Sequence, residues 1–111
     1  MEDFVPIALL AELPVGRAKS VVVGNRKIAL FRTSSGFFAS DNACPHRGGP
    51  LGDGDLFGEE IVCPWHLWGF DVRSGVCTGN AQVRLTKHEV KTEGDRILVK
   101  LNPVVEQSDF L

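Results

Sequence analysis

Apolar residues fall in short runs separated by turn-forming residues, and no window holds a clean 3.6-residue apolar period long enough for a helix. The nearest approach, Leu9 to Lys19, is interrupted by Pro14 and Gly16. Val21-Val22-Val23, the Gly24-Asn25 pair and Arg26 to Phe31 read as a hairpin with a tight turn. Phe37 to Ser40 follows after the turn-rich Thr33-Ser34-Ser35-Gly36. Near the other end, Val83 to Lys91, a turn at Glu93-Gly94-Asp95 and Ile97 to Leu101 read as a second hairpin, with Ile97, Val99 and Leu101 alternating onto one face. Between these flanks Asp41 to Gly58 is so rich in Gly, Pro and Asp that it is expected to be irregular, yet it is too long for an idle connection. The pattern predicts an all-β domain in which antiparallel flanks form a scaffold and the inserted loop carries the function.

Composition narrows this further. At 111 residues with 43% apolar residues, the chain is one ordinary domain, residues 1–111, with enough apolar surface for a modest core. No internal repeat or linker composition divides it. Twelve Lys and Arg against fourteen Asp and Glu give a net charge of −2, with no basic run to track phosphates, so no nucleic-acid partner is expected. The start, Met1-Glu2-Asp3-Phe4, is acidic where a targeting segment is basic, and the apolar stretch Val5 to Leu13 is interrupted by Pro6 and Glu12. No membrane association is expected, and a cytoplasmic location is. Cys44, Cys63 and Cys77 are odd in number and widely spaced, which fits a reducing compartment and thiols available to metal.

Two segments carry the candidate chemistry: Cys44-Pro45-His46-Arg47-Gly48-Gly49-Pro50-Leu51 and Cys63-Pro64-Trp65-His66-Leu67-Trp68-Gly69-Phe70-Asp71. Each has a Cys followed closely by a His, and sixteen residues separate His46 from Cys63. Two thiolates and two imidazoles make a complete four-ligand set for a transition-metal centre. A lone buried Cys or His is ordinary packing, but two pairs in Pro- and Gly-flanked loops are not. Zinc fingers usually pair Cys with Cys and His with His, often with a helix carrying the His pair. The mixed loops match instead a [2Fe–2S] centre with two thiolates on one iron and two imidazoles on the other, with mononuclear zinc as the alternative.

The two motifs, Cys-x-His and Cys-x-x-His, with the Gly48 to Leu51 continuation and Gly69-Phe70-Asp71 running to Ser74-Gly75, resemble those of the Rieske family over nearly the whole chain. The resemblance implies an antiparallel β sandwich or barrel with a loop-rich cluster-binding subdomain at about residues 41–82. It implies one [2Fe–2S] cluster per chain, Cys44 and Cys63 holding the inner iron and His46 and His66 the outer. It also implies a non-enzymatic one-electron carrier between a flavin-dependent NAD(P)H reductase and a terminal oxygenase or similar redox acceptor. The small subunit of an NAD(P)H nitrite reductase and a redox sensor are the competing roles. In high-potential members an extra disulfide, a Ser and a Tyr surround the cluster. Their places here correspond to Gly49 and Trp65, Trp68 and Phe70, and the chain has no Tyr. Leu67 and Gly69 stand where the ferredoxin-type pattern often has Gly and a basic residue, and Thr78 to Gln82 lacks a frequent proline.

Other features carry less. Asp53, Asp55 and Gly58 do not make a calcium loop, because Phe57 and Pro64 occupy ligand positions. No Gly-x-Gly-x-x-Gly is present for a dinucleotide. Cys77 is expected to be a buried inert thiol and His88 a half-buried sheet residue. Trp65, Leu67 and Trp68 are expected either to shield the cluster or to form an apolar docking surface.

Overall fold

The computed structural model describes residues 4–45, 49–65 and 67–103. In chain order the strands are β1 (Val5–Leu9), β2 (Arg17–Val23), β3 (Arg26–Thr33), β4 (Gly36–Asp41), β5 (Asp55–Phe57) and β6 (Glu60–Val62). They continue with β7 (Gly69–Asp71), β8 (Val76–Cys77), β9 (Asn80–Arg84), β10 (Lys87–Glu93) and β11 (Arg96–Lys100). A six-stranded sheet has the order β1-β11-β10-β4-β3-β2, and a five-stranded sheet the order β5-β6-β7-β8-β9. Every named pairing is antiparallel. The edge strands β1 and β2 of the larger sheet approach each other, so it nearly closes into a barrel. Single 3-10 turns at Leu10–Glu12 and Leu51–Asp53 are the only helical segments among the described residues.

The register of the first hairpin, Val23 opposite Arg26, leaves a two-residue turn at Gly24-Asn25, where Gly24 takes a φ of 63°. That left-handed conformation is the one such turns demand and glycine supplies without strain. β3 is the central strand of this hairpin region, flanked by β2 and β4, and Ile28 to Phe31 are all fully buried. Side chains of a strand alternate between faces, so this run serves two cores. Ile28 and Leu30 pack inside the barrel with Leu13, Ala39, Ile97 and Val99. Ala29 and Phe31 face outward and pack against Leu51, Ile61, Phe70, Val72, Val83 and Leu85, the core beneath the smaller sheet.

Three sequence expectations are corrected. Val83 to Lys91 is not one strand: β9 ends at Arg84 and β10 begins at Lys87, with Leu85 and Thr86 buried between them. Leu85 N–H bonds to Gly75 O in the smaller sheet, and Thr86 O accepts from Asp41 N–H of the larger one, so the chain changes sheets within two residues. The apolar pattern runs on because both cores need it. Second, Asp41 to Gly58 is not wholly irregular. Asp55–Phe57 pairs with Glu60–Val62 around Gly58, whose φ is 62°. A three-residue strand of Asp, Leu and Phe shows too little alternation to be legible. Third, His88 is not half-buried: its side chain is fully enclosed, because its polar ring is met on both nitrogens.

Candidate metal centre

The two Cys-bearing segments take the same local form. β4 ends at Asp41 and the chain turns outward. Cys44 N–H then bonds to Gly49 O at 2.8 Å, Ala43 and Pro50 make an isolated antiparallel bridge, and Leu51 N–H returns to Asn42 O at 2.8 Å. The second loop is the connection between β6 and β7, and Cys63 N–H bonds to Trp68 O at 2.7 Å. In both loops the cysteine N–H is answered by the carbonyl five residues on, so each thiol sits at the same corner of a closed loop. Pro45 and Pro64, directly after each Cys, cannot compete for those carbonyls because they have no N–H.

Tertiary packing brings the loops together. Cys44 and Cys63 are both buried, and both belong to the core beneath the smaller sheet. The link between the loops is Gly49: a Cβ there would lie 2.6 Å from Cys63 Sγ and 2.9 Å from Trp65 Cγ. The first loop therefore presses its backbone onto the thiol of the second, a contact that only glycine permits. Two buried thiols at facing loop corners suit iron–sulfur ligation, which takes thiolates in a water-poor setting.

His46, Arg47, Gly48 and His66 lie outside the described residues. Cys77 is buried in the same core on β8, opposite Phe70 of β7, and belongs to neither loop. His88 is placed on β10, with Nε2 2.8 Å from Asp41 Oδ1. Among the described residues no group of three or more His, Cys, Asp or Glu side chains is gathered for a metal.

The aromatic crowding of the second loop resolves into two roles. Trp68 packs against the core, whereas Trp65 is 52% and Leu67 75% exposed. Leu67 also holds a φ of 56°, the left-handed region where a branched side chain costs about 1–2 kcal/mol. That is the position at which the related pattern often has Gly. Beside it lies an open cleft of about 420 Å3 lined by Glu60, Leu67, Trp68, Cys77, Thr78 and Asn80. Thr78 Oγ1 donates to Glu60 Oε2 at 2.6 Å and so fixes the carboxylate at the cleft wall.

Sequence reasoning missed Asn42. It lies two residues before Cys44 and is nearly fully buried, and its side-chain oxygen accepts from Gly52 N–H at 2.8 Å and from Ser20 Oγ at 3.0 Å. Its only signal in the chain is its place at the foot of the loop.

The family model for the Rieske [2Fe–2S] domain matches residues 3–98. The ferredoxin component of the naphthalene 1,2-dioxygenase system of Pseudomonas aeruginosa is 34% identical over 106 residues, covering 91% of this chain and 98% of the relative. Among solved structures, the ferredoxin of carbazole 1,9a-dioxygenase from Nocardioides aromaticivorans IC177 superposes with a TM-score of 0.81 at 29% identity, covering 89% of this chain and 98% of that one. A complex of reduced oxygenase and oxidised ferredoxin in carbazole 1,9a-dioxygenase contains a chain that matches with a TM-score of 0.82 at 25% identity, covering 96% and 100%. Such relatives are electron carriers rather than catalytic enzymes. With its paired Cys loops, its all-β fold and a family match across nearly its whole length, the chain belongs to the Rieske [2Fe–2S] family and carries one cluster.

Proposed function

We propose that the chain is the ferredoxin of an oxygenase system, accepting one electron from a flavin-dependent NAD(P)H reductase and passing it to a terminal oxygenase or a similar redox acceptor. Cys44 and Cys63 as thiolates, with His46 and His66 as neutral imidazoles, would hold the [2Fe–2S] cluster, the thiolates on one iron and the imidazoles on the other. The observation that carries this reading is the pair of matched loops, each closed by its own cysteine N–H and packed together across Gly49. When bound, the cluster supplies a one-electron couple. Two ferric ions and two sulfides carry about +2 and two thiolates −2, so the oxidised site is neutral and accepts an electron more readily than a tetrathiolate one.

The protein's own part is to hold, shield and present. Burial of Cys44 and Cys63 keeps water from the thiolate side. Exposed Trp65 and Leu67, the chain neighbours of His66, supply apolar contact area where a partner docks. The complex of a related ferredoxin with its oxygenase supports this assignment. The chain shows no nucleotide-binding motif, so hydride must be split into single electrons by a flavoprotein before reaching it. The whole chain, residues 1–111, acts as one cytoplasmic domain, with residues of about 41–82 as its cluster-binding part.

The reduced protein is expected to give the low average g value of mixed His and Cys ligation. His46→Ala and His66→Ala are expected to lose the visible absorption, because ligand loss uncouples the metal from the loops it orders. His88→Ala is expected to keep the spectrum. A full [2Fe–2S] complement in His66→Ala overturns the ligand assignment. For the partners, NADH alone must leave the protein oxidised, and NADH with a flavoprotein reductase must reduce it. Direct reduction by NADH contradicts the carrier reading.

A further inference from the structure

We propose that Asn42 is a positioning residue for the cluster, the pin that fixes both limbs of the first loop to the barrel. The inference rests on the reading above that Cys44 is a ligand. Asn42 is 4% exposed, and four hydrogen bonds converge on it. Its N–H donates to Lys27 O of β3 at 3.0 Å, and its carbonyl accepts from Leu51 N–H at 2.8 Å. Its side-chain Oδ1 accepts from Gly52 N–H at 2.8 Å and from Ser20 Oγ of β2 at 3.0 Å. One residue thus ties the outgoing limb, which reaches Cys44 two residues later, to the returning limb, and ties both to β2 and β3.

The packing beneath it is as constrained as the bonding. A Cβ at Gly52 would fall 2.6 Å from Ser20 N and 2.9 Å from Asn42 Oδ1, besides overlapping Ser20 Oγ. The returning limb therefore lies directly against the β2 backbone, and the Asn42 carboxamide fills the remaining angle. Because this foot is fixed, Gly49 is held at the distance that meets Cys63 Sγ. Displacement at Asn42 is transmitted to both thiols at once, through Cys44 along the chain and through Gly49 across it.

Chemistry also separates the amide from its closest substitute. Gly52 N–H can only donate, so the atom it meets must be an acceptor, which fixes the orientation of the amide. Both side-chain bonds are accepted by one oxygen, so a carboxylate in its place retains both. A carboxylate also adds a negative charge beside the loop, which disfavours the arrival of an electron. Asn supplies the acceptor without the charge.

The test uses the whole cluster-loaded chain with Asn42→Ala, Asn42→Asp and Ser20→Ala, read by loss of cluster absorbance under chelator, by electron paramagnetic resonance of the reduced state, and by midpoint potential. Asn42→Ala leaves buried donors unmet and is expected to lose the cluster roughly tenfold faster, with shifted or broadened g values. Ser20→Ala, which removes one of the two donors to Asn42 Oδ1, should move the same way by less. Asn42→Asp should restore wild-type retention and line shape with a lowered midpoint, a combination that a merely structural role does not produce. Wild-type g values, retention and potential in Asn42→Ala overturn the proposal, as does an Asn42→Asp protein as impaired as Asn42→Ala. If Asn42→Ala does not fold, Ser20→Ala and Asn42→Asp decide: an unchanged cluster in the first or an impaired one in the second overturns it. A wild-type spectrum of four-thiolate type instead sinks the ligand reading on which the inference stands.

Discussion

Gly49 leaves no room for a side chain, because a Cβ would lie 2.6 Å from the buried Cys63 Sγ and 2.9 Å from Trp65 Cγ, the near end of that side chain. Gly49→Ala is expected to cost about 1–3 kcal/mol as overpacking and to lower iron and sulfide per chain, whereas Gly79→Ala, with nothing near its Cβ, keeps full loading. Iron and sulfide assays with thermal melts check both, and full loading at wild-type stability in Gly49→Ala contradicts the contact. At His88 the tautomer follows from its partners. Asn102 N–H donates to Nδ1 at 3.0 Å, so Nε2 carries the proton and donates to Asp41 Oδ1 at 2.8 Å. Burial lowers the pKa of His88 below its ordinary 6.5, Asp41 opposes the shift and Arg26 adds to it. The unfolded chain therefore takes up the proton first, so the stability His88 contributes is full above 6.5 and is lost as pH falls through the folded value. Denaturant unfolding at about pH 7.5 and about pH 5.5 should show a steeper loss in the wild type than in His88→Gln. Equal losses in the two proteins remove His88 from the account.

Among the elements, the hairpin of β5 and β6 is clasped to the larger sheet by its own turn. Arg73 Nε and Nη2 reach both Glu59 oxygens at 3.1 and 2.9 Å, Nη2 also donates to Ser35 Oγ at 2.8 Å, and the guanidinium covers the Phe38 ring. Thr33, the last residue of β3, and Ser35, in the turn to β4, bond the same carboxylate. The Arg73 hydrogen bond, with help from Ser35, holds the Glu59 pKa down to about 2 from 4.5. The sign follows: this contribution is present above pH 4.5 and lost as pH falls through about 2. The clasp is solvent-exposed, so its effect is small and screened. Glu59→Gln should melt slightly below wild type at low salt, converge with it at about 1 M salt, and leave the cluster spectrum unchanged. A difference that persists undiminished in high salt points to packing rather than charge.

Across the whole molecule, β3 is shared between the barrel interior and the core that buries Cys44 and Cys63, so scaffold and metal site are one packed body. The family resemblance matches Trp68, packed on this core, and Phe70, fully buried within it, to the positions of the hydroxyl donors in high-potential members. Without those donors the electron-rich reduced state is less stabilised. The midpoint should lie near the low end of the Rieske range, about −150 mV rather than about +300 mV. Voltammetry of the intact protein checks this, and a midpoint well above zero contradicts it.

The sequence by itself determined the all-β class, the Gly24-Asn25 hairpin and the shared face of Ile97 and Val99 on the last strand, because tight turns and period-two patterns act over a few neighbouring residues. The candidate ligand motifs are legible as patterns because each spans only a few neighbouring residues, and the structure adds that a backbone bond closes the chain on Cys44 and again on Cys63. Only the tertiary structure decided the break at Leu85-Thr86, because an apolar residue does not state which of two cores it enters. Only it showed His88 enclosed, since the partners that meet its two nitrogens, Asp41 and Asn102, are distant in the chain. Cys63 meets Gly49 where the two loops pack together, and Ser20 of β2 meets Asn42 and Gly52 of the first loop, contacts between segments well separated along the chain. No local propensity encodes such contacts, because the free energy that fixes them is gained only when the two sheets close on β3.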